Sequence, residues 1–233
     1  AFVVADEHHG RGVGTLLLEH LAANARERGI TRFTAQTVPS NRQMLAVFRA
    51  AGFEETTRFA DGVVGVEVAI EPTDKARAAI EGREHRAEAS SVARLLAPRA
   101  VAVVGASRNP GTVGHQVLRN LLAGGFQGPV YPINPAAEYV ASVKAYPTLL
   151  DIPGLVDLVV IAVPAVAVRA VVEQCARKGV VGIVVLSAGF GELGATGAAA
   201  QAELRELVRR HGMRLVGPNC IGLANTAVGL DAT

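Results

Sequence analysis

Val101-Ala102-Val103-Val104-Gly105-Ala106-Ser107-Arg108-Asn109-Pro110-Gly111-Thr112-Val113-Gly114 decides the reading of the larger part of this chain. Four apolar residues run without alternation into a glycine, a polar loop follows, and two more glycines open a segment with helical spacing. A short strand with no polar face is a strand covered on both sides, as in a parallel sheet. The pattern repeats downstream. Helix is expected over 113–123, strand over 129–133 and 156–163, helix over 165–178, strand over 180–186, helix over 197–211 and strand over 213–216. Alternation of that kind predicts a doubly wound α/β domain with a parallel, Rossmann-like sheet.

Ligands on such sheets sit outside the carboxyl ends of the strands, near a topological switch point. The strand ends here are rich in small residues: Gly105-Ala106-Ser107, then Gly111 with Val113 and Gly114, then Ile133-Asn134-Pro135, Val163-Pro164, Ser187-Ala188-Gly189 and Gly217-Pro218-Asn219. One such loop is an ordinary tight turn; several at one edge point to a backbone packed against a ligand. A nicotinamide site fits poorly. The glycines fall at 105, 111 and 114 rather than in a Gly-x-Gly-x-x-Gly run, and the second strand ends in Asn134 rather than an acid for a ribose diol.

Working outward, Thr73 to Arg94 is charged and poor in large apolar residues, which predicts a solvated linker helix. Pro72 and Pro98 bracket it. The expected division is 1–72, a linker over 73–96 and the α/β domain over 97–233. Before the linker, a strand over 1–5 leads into His9-Gly10-Arg11-Gly12-Val13-Gly14-Thr15 and a helix over 13–28 with Leu17, Leu18, Leu21, Ala22 and Ala25 on one face. A strand near 31–37, a helix over 41–51 and a strand near 63–70 follow. The glycine loop exposes the free amides of a first helical turn, an arrangement suited to a phosphate. A tight turn alone would account for the spacing equally well. The chain opens on Ala1-Phe2-Val3-Val4-Ala5 without an initiating Met, so upstream sequence is expected.

Composition narrows the classes. Half the residues are hydrophobic, enough for a sizeable core, and the net charge is only +2 with scattered arginines, which argues against nucleic acid. The longest apolar stretch, Leu158 to Val168, contains Pro164 and is too short to span a bilayer, so no membrane partner is expected. Cys175 and Cys220 lack metal or redox spacing. No metal site is expected, and the cysteines read as reduced thiols in a cytoplasmic protein.

Two resemblances follow from these motifs. Residues 95 to 233, through Val-Ala-Val-Val-Gly-Ala-Ser, the Ile-Asn-Pro turn, Ser-Ala-Gly-Phe-Gly-Glu and Gly-Pro-Asn-Cys-x-Gly, resemble the CoA-binding domain of the succinyl-CoA synthetase α-subunit and of nucleoside-diphosphate-forming acyl-CoA synthetases. The resemblance implies that Gly105, Ala106, Ser107 and Val113, with Gly111 and Gly114, line the CoA phosphates and pantetheine. It implies that Asn134 and Pro135 border the adenosine, and that Val163, Pro164, Ser187, Ala188, Gly189 and Asn219 line the arm leading to the thiol.

Residues 1 to about 70 resemble the C-terminal half of the GNAT N-acetyltransferase family. Its pyrophosphate motif maps onto His9, Gly10, Arg11, Gly12, Val13 and Gly14, followed by Thr15, and Asn41 matches an asparagine that contacts the cofactor arm. The position where the family often carries a proton-donating tyrosine holds Phe48, which has no proton to give and reads as core. Asp6 and Glu7 are the acids near the loop, and Glu7 is the candidate general base. Together the halves resemble protein lysine acetyltransferases that carry a synthetase-like CoA domain. That implies an N-acyltransferase with acetyl-CoA as cofactor and a protein lysine as acceptor. A non-catalytic CoA-binding regulatory module, or part of an ADP-forming acyl-CoA synthetase, is the alternative.

Overall fold

The structure is a computed structural model and describes residues 3–60, 62–71 and 73–233. The chain divides into two compact units, Ala1–Ala87 and Glu88–Thr233. The boundary falls inside one long helix, α3 (Asp74–Leu96). Thr73 caps it, its Oγ1 accepting the amide of Ala76 at 3.0 Å.

In the first unit, helices α1 (Val13–Glu27) and α2 (Arg42–Ala50) accompany a three-stranded antiparallel sheet of order β1-β3-β2, with β1 Arg32–Thr37, β2 Glu54–Ala60 and β3 Val63–Ala69. Alternation along β3 buries Val64, Val66 and Val68 in a cluster with Leu18, Ala22, Ala25, Phe48 and Phe53. The expected strand over 1–5 is absent from residues 3–5, and its first two residues lie outside those described, as does Pro72. The helical stripe is also narrower than expected. Leu18, Ala22 and Ala25 are buried, whereas Leu17 and Leu21 stand 38% and 48% exposed. Strand β2, Glu-Glu-Thr-Thr-Arg-Phe-Ala, escaped the sequence reading because it carries almost no apolar alternation; pairing with β3 along its whole length holds it in place.

The second unit is a parallel five-stranded sheet of order β10-β9-β8-β4-β5, with β4 Val101–Val104, β5 Val130–Ile133, β8 Leu158–Ile161, β9 Gly182–Val185 and β10 Arg214–Val216. Helices α4 (Val113–Ala123), α5 (Ala165–Lys178) and α6 (Ala195–Arg210) connect the strands. Every residue of β4, β8 and β9 is buried, as unalternating apolar strands require. One core cluster forms around Val159, Ile161 and Ile183 with α5 and α6, and another around Val101, Val103 and Val160 with α4.

Two small additions were not anticipated. A hairpin, β6 (Tyr139–Val140) and β7 (Val143–Lys144), follows β5, and a second, β11 (Leu223–Asn225) and β12 (Leu230–Ala232), ends the chain. At the opposite end of the sheet from the glycine loops, Asp157 accepts the backbone amide of Arg99 at 2.9 Å and its Nε at 3.1 Å. The Arg99 guanidinium holds the Asp157 carboxyl below the usual carboxylate range, against the opposing effect of burial.

Candidate functional site

The strand order puts β4 between β5 and β8, so the chain leaves β4 first to one side and later returns to the other. That is the switch point of a doubly wound sheet, where a crevice opens at the carboxyl edge. The loops that the sequence singled out meet there. A Cβ on Gly105 would lie 2.3 Å from the Ala162 carbonyl oxygen, and one on Gly114 would lie 2.1 Å from the Gly105 carbonyl oxygen. Real Cβ atoms do not approach so closely, so only glycine lets α4 begin directly against the end of β4. The first turn of α4 thereby presents its amides beside the loop, with the positive end of the helix dipole.

Hydrogen bonds fix the loop rims. Ser107 Oγ accepts the amide of Asn109 at 3.1 Å, and Asn109 Oδ1 accepts the amide of Gly111 at 3.0 Å. His115, on α4, is 2.7 Å from the Ser107 carbonyl through Nδ1, which is the donor since the carbonyl can only accept. Asn134, at the end of β5, donates through Nδ2 to the Ala106 carbonyl at 2.7 Å and accepts the Ala136 amide at 2.8 Å. Pro135 stands exposed beside it.

The other half of the edge is linked in the same way. Ser187 Oγ donates to the Val163 carbonyl, and the Ser187 carbonyl accepts the amide of Asn219 at 3.1 Å. The ends of β8, β9 and β10 are thus one connected rim, and Val163, Pro164, Ser187, Ala188, Gly189 and Asn219 all belong to it. Glu192, which sequence reasoning left without a role, accepts the Gly189 amide. That amide, first among several backbone donors, lowers the carboxyl's pKa. Cys220 is half-buried with Sγ 3.4 Å from the Val185 carbonyl, while burial pushes the Cys175 thiol up to about 12.

In the first unit, Gly12 occupies the left-handed region at φ 78° as the residue before α1, a conformation glycine adopts without the penalty a Cβ brings. A cleft of about 690 Å³ lies over this turn, lined by His9, Gly10, Gly12, Val13, Gly14 and Thr15 on one side and by Asn41, Met44 and Val47 on the other. Asn41 Oδ1 accepts the amide of Met44 at 3.0 Å, which caps α2. Gln43 lines the same cleft and was not singled out in the sequence.

The Arg11 guanidinium is 2.9 Å from His8 Nδ1, and Arg11 is absent from the cleft lining. His9 Nε2 lies 2.9 Å from the Val4 carbonyl. Glu7 is exposed, 3.6 Å from His8 Nε2. Phe48 is 3% exposed, in the core as its side chain suggested. Among the described residues no cluster of His, Cys, Asp or Glu could hold a metal ion, and no helix is long and apolar enough to cross a membrane.

A parallel sheet with a glycine cradle at its switch point and a rim of linked strand ends defines a Rossmann-like nucleotide-binding domain. Residues 99–226, more than half of the chain, match the family described as CoA binding domain, and the chain belongs to that family. The glycine cradle suits such a cofactor, since it brings the free amides at the start of α4 up against the end of β4. Its cofactor is CoA or an acyl-CoA. Residues 1–53 match the acetyltransferase (GNAT) family.

An ADP-forming acetate–CoA ligase of Archaeoglobus fulgidus is 45% identical over 135 residues, 58% of this chain and 20% of the ligase. The acetyltransferase Pat of Mycolicibacterium smegmatis is 35% identical over 74 residues, 32% of this chain and 22% of that protein. Among solved structures, a dinucleotide-forming acetyl-coenzyme A synthetase of Candidatus Korarchaeum cryptofilum, in complex with phosphate and ADP, is 44% identical with a TM-score of 0.59, covering 61% of this chain and 30% of that one. The chain therefore spans about a fifth to a third of the length of these relatives.

Proposed function

We propose that this chain is the CoA-handling part of a protein of the ADP-forming acyl-CoA synthetase type, holding CoA or acyl-CoA across the carboxyl edge of the five-stranded sheet. In this reading residues 97–233 form the CoA-binding domain, 73–96 the linker and 1–72 a partial acetyltransferase domain. The observation that carries it is the contact between Gly114 and Gly105, which sets the first turn of α4, with its free amides, directly against the end of β4. The likeness to an acetate–CoA ligase over the same residues supports it.

The residues divide the task by chemistry. Amides at the start of α4 hold the phosphates. Asn134, its side chain already engaged on both sides, keeps the β4 and β5 loops in register at the adenosine end. The Val163–Ser187–Asn219 rim guides the pantetheine arm. Cys220 does not act as a nucleophile here, because the described structure gives it no basic partner. Calorimetric titration of the whole chain with CoA, acetyl-CoA and NAD tests the reading. CoA binding that is lost in Gly114→Glu supports it. NAD binding without CoA binding would remove it.

A second reading is N-acyl transfer from acetyl-CoA to a protein lysine, with the synthetase-like domain as sensor. The cleft over the Gly10–Thr15 turn favours it, as does the likeness to the acetyltransferase Pat. Its catalysis would rest on positioning the thioester at that turn, with Glu7 as candidate base. Transfer of radiolabelled acetyl to a lysine-containing protein, unaffected in Gly114→Glu and lost in Gly12→Glu, would establish it.

A further inference from the structure

We infer that Arg108 reads the 3′-phosphate on the adenosine ribose of CoA, and so makes the α/β site select CoA over dephospho-CoA. The inference rests on the reading of this edge as a CoA site.

The residues at the adenosine end leave this role to one side chain. Sheets that bind an unphosphorylated dinucleotide usually place an acid at the end of the second strand for the ribose hydroxyls, whereas an arginine nearby accommodates a ribose phosphate. Here that position is Asn134, and both ends of its amide are already used, on Ala106 and Ala136. It has no charge with which to repel a phosphate and no carboxylate with which to accept both hydroxyls of a diol.

Arg108 is the one charged residue between Gly105 and Gly114. It leaves the β4 loop and reaches the β5 loop, where its Nη2 donates to the Ala136 carbonyl at 3.3 Å. The guanidinium therefore stands two residues past Asn134, on the side where the ribose would lie. One hydrogen bond occupies one of five N–H donors, and among the described residues Arg108 forms no ion pair. The remaining fork matches a phosphate monoester in geometry and charge. The backbone bond also restricts the side chain before the ligand arrives, which lowers the ordering cost of binding.

A second cation lies on the neighbouring hairpin. Lys144 Nζ sits 5.6 Å from the Tyr146 ring centroid. It is a single point charge already placed over an aromatic face, and it is the natural comparator. His115 serves the other side of the loop through Ser107.

The experiment is calorimetric titration of the whole chain and its Arg108→Gln and Lys144→Gln variants with CoA, dephospho-CoA and NADP, with thermal melting to confirm that each variant folds. Loss of a charge-assisted contact to phosphate predicts that CoA binds the parent chain about 10-fold or more tighter than dephospho-CoA. In Arg108→Gln the two ligands should bind alike, with dephospho-CoA affinity unchanged. Lys144→Gln should keep the discrimination. A preference that survives Arg108→Gln, or disappears in Lys144→Gln instead, overturns the assignment while leaving the CoA site standing. NADP binding tighter than CoA shows that the phosphate belongs to a different cofactor and overturns it as well. Binding of neither CoA nor dephospho-CoA by the parent chain overturns both the assignment and the CoA reading beneath it.

Discussion

Gly114 faces the carbonyl of Gly105 so closely that a methyl group on Gly114 would stand 2.1 Å from the oxygen and 2.6 Å from the carbonyl carbon. The obstacle is backbone at the end of a buried strand, which cannot rotate aside as a side chain would. Gly114→Ala is therefore expected to displace the start of α4, to cost about 1–3 kcal/mol of stability and to weaken CoA binding at least 10-fold. Chemical denaturation and calorimetry on the same variant check both. A variant as stable as the parent would show that the loop yields more easily than its geometry implies.

Ser187 connects two strand ends with one hydroxyl. Ser187→Ala removes the bond to the Val163 carbonyl and leaves that acceptor half-buried. A loss of about 0.5–1.5 kcal/mol is expected for such a bond. CoA affinity should fall several-fold, and the Gly105 loop, on the far side of β8, should be unaffected. Dephospho-CoA should suffer equally, since the change lies at the arm rather than at the ribose.

Asp157 supplies a pH dependence. Its hydrogen bonds from Arg99 lower the folded-state carboxyl pKa below the unfolded value, so the pair's contribution is complete above about pH 3.9. That contribution disappears as pH falls through the folded pKa. Asp157→Asn should lower stability by about 1–2 kcal/mol near neutrality, and the gap between variant and parent should close in acid. Urea unfolding of both proteins from pH 7 down to pH 3 reads the difference.

The two thiols should separate by reactivity. Cys175 is fully buried and its pKa is pushed up to about 12, so the nucleophilic thiolate is scarce in the folded protein. Cys220 is half-buried. Alkylation under native conditions should label Cys220 first and Cys175 only on unfolding. Mass spectrometry of the labelled peptides settles the order, and equal labelling would mean that α5 opens readily.

The parallel sheet was legible because its strands carry their burial in their composition. Val101–Val104 and Leu158–Ile161 have no polar residue with which to face water. Their ends were legible because glycines gather where backbone must approach closely, as at Gly105 and Gly114, and because Asn134 stands where its amide ties neighbouring loops together. Strand β2 was hidden for the opposite reason: Glu54, Thr56 and Arg58 face solvent, and its place comes from cross-strand pairing with β3 rather than from a pattern of its own. Strands β11 and β12 are three residues each, below the length at which alternation means anything. The link from Arg108 to Ala136 joins residues 28 apart and is a product of parallel neighbours. Leu17 and Leu21 show the limit of helical periodicity, which identifies a stripe but not how wide a sheet lies beneath it.

The buried strands β4, β8 and β9 sit directly below loops that lie at the surface. Amide protons of the strands can exchange with solvent only when the whole unit opens, whereas those of the loops can escape through local openings. In deuterated water the site would thus carry its own internal clock. A cofactor would slow the rim first, by shielding it, and would slow the floor only by the amount that binding makes global opening rarer. The difference between the two rates would separate occupancy from stabilisation in one measurement.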